Sequence, residues 1–112
     1  MKPILLAAAL AAFAIPGGPA FAHEAYTVHI KDFSYHPAPL HIAVGDTVKF
    51  VNDDQEAHTV TAADKSFDSA GLDTGDTWTY TFKKPGKYAY FCSLHPWMKA
   101  VVIVDPLKGG AP

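Results

Sequence analysis

Residues Thr77 to Val104 read TWTYTFKKPGKYAYFCSLHPWMKAVVIV. Trp78, Tyr80 and Phe82 alternate with threonines, Lys83-Lys84-Pro85-Gly86 turns the chain, and Tyr88, Tyr90 and Cys92 alternate on the return. Period-two alternation places each set on one face of a strand, and it aims the Cys92 thiol inward at the strand's end. After a short loop, Lys99 to Val104 supplies the next strand.

The same periodicity extends upstream. Tyr26, Val28 and Ile30 alternate with Thr27, His29 and Lys31, Leu40 to Val44 follows Pro37 and Pro39, and Gly45-Asp46 turns into Thr47 to Val51. His58 to Thr61 reads as a weaker strand, His36 falls in a proline loop, and Ala62 to Leu72 offers at most one helical turn. Short strands separated by turn signals, without a convincing amphipathic helix, imply an all-β fold, a Greek-key β-sandwich of about seven to eight strands.

Residues 1–22 carry the marks of an export signal: Lys2 at the start, an apolar run from Ile4 to Ile15, and Ala20-Phe21-Ala22 as a small-x-small cleavage site. The run is too short to span a bilayer, and Pro16-Gly17-Gly18-Pro19 interrupts it. The expected mature chain is therefore residues 23–112, one domain beginning at His23, exported to the periplasm and without a membrane span. The charge is mildly acidic, with formal net charge −2 and every basic residue a lysine, which disfavours nucleic acid as a partner.

Cys92 is the only cysteine, and the run Cys92-Ser93-Leu94-His95-Pro96-Trp97-Met98 also holds the only methionine beyond Met1. An unpaired thiol is a liability in an oxidising compartment, where burial or a metal would protect it. Thiolate, imidazole and thioether at three-residue steps supply three of the donor types of a blue-copper electron-transfer site, which needs a second histidine. On the plain structural reading, Cys92 is a small buried hydrophobe, Met98 fills a core gap and Trp97 packs in the core. The tight loop between two strands favours the metal, because Pro96 fixes its own φ and biases His95 toward extended backbone, helping the loop curl around one point.

Of the other histidines, His58 is preferred as the second imidazole. It follows the polar turn Asn52 to Ala57 at the loop end of a strand, whereas His29 and His41 occupy solvent-facing strand positions.

Val44-Gly45-Asp46-Thr47-Val48, then Asn52, His58, Pro85-Gly86-Lys87-Tyr88 and Cys92-x-x-His95-Pro96-x-Met98 together resemble the cupredoxins, the type 1 blue copper proteins, and within them the amicyanins. The resemblance covers roughly residues 33 to 104, and the short Cys-x-x-His-x-x-Met loop is its most specific part. Leu94 stands where the family often has proline, and Ala100 where it often has glycine. The resemblance implies one type 1 copper held by His58, Cys92, His95 and Met98, with Met98 the weak axial ligand. It further implies that Asn52 braces the ligand loop by pairing with Ser93.

A filled four-donor centre with no open position points to a one-electron shuttle and not to an enzyme. Transient redox proteins would dock near His95, on Leu94, Pro96 and Trp97, with the chain a monomer. Acidic docking would draw on Asp53, Asp54, Glu56, Asp68, Asp73 and Asp76. The alternative is a periplasmic copper carrier or buffer that hands the metal on. For that role His23, as a new N-terminus, would offer amine and imidazole to a weak extra copper site, against the ordinary expectation of a frayed terminus.

Overall fold

The computed structural model describes residues 23–107; the export signal expected at residues 1–22 lies outside them. Eight strands follow in order: β1 (Ala25–Lys31), β2 (Ser34–His36), β3 (Leu40–Ala43), β4 (Thr47–Asn52), β5 (Thr61–Ala62), β6 (Thr77–Thr81), β7 (Gly86–Phe91) and β8 (Lys99–Asp105). They form two four-stranded sheets, ordered β2-β1-β4-β6 and β3-β8-β7-β5. The chain changes sheet between β2 and β3 and at each connection from β3 through β7, the crossing pattern of a Greek-key sandwich.

Alternation sets the inner faces. Val28 and Ile30 of β1 and Val48 and Phe50 of β4 are fully buried, in register as Val28↔Phe50 across a parallel pair. Tyr90 of β7 and Val102 and Val104 of β8 face them from the second sheet, with Leu40 and Ile42 of β3 alongside. Tyr90 packs edge-to-face on Tyr35 and Phe50, at centroid distances of 4.7 and 5.6 Å. Such aromatic pairs add to the gain from burying apolar area.

Three local expectations are corrected. Ser34 to His36 is a strand, not part of a proline loop; it forms a hairpin with β1 through His29↔His36, Ile30↔Tyr35 and Lys31↔Ser34. The expected strand from His58 to Thr61 shrinks to β5, with His58 making only an isolated bridge to Leu72. Side chains have taken the amides a ladder would use: the Thr59 N–H donates to Cys92 Sγ and the Val60 N–H to Ser69 Oγ. Ala62 to Leu72 forms no helix; the Ala62 N–H donates to the Phe67 carbonyl, and Phe67 enters the core.

At the far end of β4 from Asn52, Gly45 turns the chain with φ 95°, and the His23 ring lies directly against it where a Cβ would stand. Among the described residues, no helix is long and apolar enough to cross a membrane.

Candidate metal centre

Cys92 follows β7 and Met98 precedes β8, so the loop between them returns the chain to an adjacent antiparallel strand. Three backbone bonds curl it: Cys92 N–H to the Met98 carbonyl (3.1 Å), His95 N–H to the Cys92 carbonyl (3.2 Å) and Met98 N–H to the His95 carbonyl (2.8 Å). The thiol of Cys92 is fully buried, Met98 is 2% exposed, and His95 is half-buried.

His58 arrives from the β4–β5 connection. Its N–H donates to the Leu72 carbonyl at 3.0 Å and its carbonyl accepts the Leu72 N–H at 2.8 Å, which pins the backbone under a ring with no exposed surface. His58 Nε2 lies 2.8 Å from Asp54 Oδ2, and Nδ1 therefore faces Cys92 Sγ, at 3.8 Å. His95 Nδ1 lies 3.6 Å from the same sulfur. One donor atom from each of His58, Cys92 and His95 lies within 4.8 Å of the others.

These distances fit one shared ion. First-row divalent ions bind imidazole nitrogen and thiolate sulfur at about 2.0–2.3 Å, so donors at this spacing can share one. A soft thiolate with two imidazoles suits copper, and the buried Met98 at the base of the loop supplies a thioether of the same softness.

The surrounding hydrogen bonds differ from the expected pairing of Asn52 with Ser93. Asn52 is fully buried; its Nδ2 donates to the Glu56 and Leu72 carbonyls at 2.9 and 2.8 Å, and its Oδ1 accepts the Asp54 N–H at 2.9 Å. Both of its polar ends are thus used within the connections that carry His58. Ser93 is held instead by Thr59, whose Oγ1 accepts the Ser93 N–H at 2.8 Å and lies 3.3 Å from Ser93 Oγ. Thr59 also donates its own N–H to Cys92 Sγ at 3.3 Å, so this one residue ties the histidine connection to the ligand loop twice.

Asp54 had the look of a surface acid but is 6% exposed. Burial pushes its carboxyl up, yet the Phe33 and Asp32 amides together with the His58 ring outweigh that and hold it below the ordinary aspartate range. Phe33, also missed by sequence reasoning, packs on the rings of both His58 and His95. The four-residue spacing of Asp54 to His58 was a readable signal; nothing near Phe33 marked it.

Trp97 is 68% exposed and Leu94 54%, so the question of core or surface for Trp97 resolves to surface. The Trp97 ring stands 5.3 Å from that of His95, and Pro96 is exposed beside it. Of the remaining histidines, His29 pairs with Asp53 and His41 faces Asp105, both at the surface, as expected of solvent-facing strand positions. His23 sits against Gly45, away from the centre.

Comparison with known proteins agrees with this geometry. The Cupredoxin-like domain family matches residues 3–104. Amicyanin of Paracoccus denitrificans is 29% identical over 89 residues, covering 75% of this chain and 68% of that protein. Amicyanin-alpha of Methylorubrum extorquens is 29% identical over 122 aligned positions, covering 94% of this chain and all of that one. The solved purple cupredoxin of Nitrosopumilus maritimus superposes with TM-score 0.68 at 33% identity, over 71% of this chain and 99% of that chain. Fold, donor set and relatives converge: this chain belongs to the cupredoxin-like family, and its His-Cys-His group with Met98 is suited to a single type 1 copper.

Proposed function

We propose that this protein is an exported one-electron shuttle in which His58, Cys92 and His95 are the strong copper ligands and Met98 is the weak axial one. The observation that carries this reading is the convergence of one thiolate and two imidazole nitrogens on one buried point. Bound copper supplies the Cu(II)/Cu(I) couple; soft sulfur donors favour the reduced state, while imidazole serves both. The chain's part is to hold the donors still between the two states. His58 is locked by Leu72 and Asp54, and Cys92 by the Thr59 amide, so little rearrangement accompanies each electron. With four donors assigned, no position remains for a substrate, and the protein is a carrier and not an enzyme.

Electrons enter and leave at the half-buried edge of His95. Leu94, Pro96 and Trp97 surround it with apolar surface that suits a small, transient contact between a monomer of this chain and a redox protein. Asp53, Glu56, Asp73 and Asp76 are exposed on the connections bonded around Asn52 and give that end an acidic margin. Asp54 is spent inside the centre. The signal-like sequence of residues 1–22 supports a periplasmic location.

Repeated reduction and reoxidation tests the shuttle against a copper carrier. The expected result is reversible one-electron voltammetry with the metal retained through many cycles. Rapid loss of Cu(I) to a chelator on reduction would favour the carrier.

A further inference from the structure

We infer that the Asp32-Phe33 turn is a lid on the two ligand imidazoles, latched by Asp54, and that Phe33 and Asp54 are positioning residues of the centre; this rests on the copper reading above.

β1 and β2 are joined by two residues only, since Lys31 pairs with Ser34. Both lie in the left-handed region, Asp32 at φ 53° and Phe33 at φ 57°. Two-residue hairpins of this kind favour Asn-Gly, and a bulky side chain at the second position is strained. Strain of this sort persists only where the surroundings over-determine it.

The surroundings here do so through one carboxylate. Asp54 Oδ1 accepts the Asp32 N–H at 2.7 Å, and Oδ2 accepts the Phe33 N–H at 2.9 Å. That same Oδ2 is the partner of His58 Nε2 at 2.8 Å. A buried carboxylate needs such donors in place of water, so the turn and the ligand ring are fixed by the same group.

The turn's purpose is visible in what Phe33 touches. Its ring meets His58 at 5.0 Å and His95 at 4.9 Å, edge-to-face in both cases with interplanar angles of 85° and 84°. The two imidazoles are themselves 5.0 Å apart, so one aromatic ring bridges both from outside the ligand loop. It is 38% exposed, with one side on the ligands and the other in solvent. A ring so placed keeps water from the imidazole edges and holds His95, the less buried ligand, against leaving.

Phe33→Gly separates lid from fold, because glycine suits the positive φ while deleting the ring. Five measurements on the copper-loaded and copper-free protein decide the matter. Copper-free Phe33→Gly should melt no lower than wild type. Loaded Phe33→Gly should release Cu(II) to EDTA about tenfold faster, as the loss of two aromatic contacts implies, and its midpoint potential should fall as water reaches the centre. Phe33→Tyr should restore the wild-type release rate. Asp54→Asn, whose single amide oxygen cannot serve both the Asp32 N–H on one side and the Phe33 and His58 N–H groups on the other, should alter the visible spectrum.

Unchanged release and potential in Phe33→Gly would overturn the lid while leaving the copper reading intact. Faster release matched by an equal loss of copper-free stability would assign Phe33 to the fold and also overturn it. A wild-type chain that forms no copper-thiolate absorption would overturn the copper reading, and the lid with it.

Discussion

Asn52 shows how a single residue can govern a centre it never touches. It is fully buried, and its side chain satisfies two carbonyls and one amide of the segments that position His58. Asn52→Ala would strand the Asp54 N–H and the Glu56 carbonyl, while the Leu72 carbonyl keeps the His58 N–H, and should destabilise the copper-free protein by about 2–4 kcal/mol, measured by urea unfolding, since each stranded buried group costs about 1–3 kcal/mol. At this scale the convergence of His58, Cys92 and His95 was legible in the sequence, because Cys92 and His95 lie within one short loop and the chemistry of these side chains is distinctive. The partners of those donors were not. Thr59 meets Cys92 and Ser93 from 33 and 34 residues away, and Asp54 meets Phe33 from 21. Such contacts arise from topology, and no local pattern announces them.

Among the elements, the strongly alternating strands β1, β4, β6, β7 and β8 were readable because each buries one face. β2 was not, since three residues ending in front of a proline carry too little pattern, and the turn before it uses Asp-Phe where glycine is the usual signal. The segment from His58 to Thr61 misled for a different reason: its residues have strand character, but Cys92 and Ser69 side chains claim its amides. Thr59 thereby becomes the stitch between the histidine connection and the ligand loop. Thr59→Val keeps the shape and removes the hydroxyl, leaving the Ser93 N–H without its partner. The expected cost is about 1–2 kcal/mol in the copper-free protein by thermal melting, with faster copper release from the loaded form.

For the whole molecule, both Tyr35 and Tyr90 are buried in the sandwich, and burial raises their hydroxyls above the ordinary value of 10.0, with the nearby Cys92 adding to the rise at Tyr35. A raised folded pKa means that stability is fully present below the unfolded value and is lost as pH climbs past it. Urea unfolding followed against pH should therefore show stability falling from about pH 10 upward, with tyrosinate absorbance from these two residues appearing only as the protein unfolds. A Tyr35→Phe variant should lose less stability over the same range. The two ends of the sandwich are independent by the same architecture: β4 runs about 17 Å from Thr47 to Asn52, with His23 and Gly45 at one end and the centre at the other. His23→Ala should accordingly leave the optical spectrum of the copper centre unchanged.

The proposed shuttle requires that Cys92 bind copper as a thiolate in a site completed by His58, His95 and Met98. Titrating Cu(II) into the copper-free protein while recording visible absorption tests it most directly. Wild-type protein should develop an intense thiolate-to-copper band that saturates at one copper per chain, and Cys92→Ser should develop none. No such band in the wild type, or an undiminished band in Cys92→Ser, would contradict it.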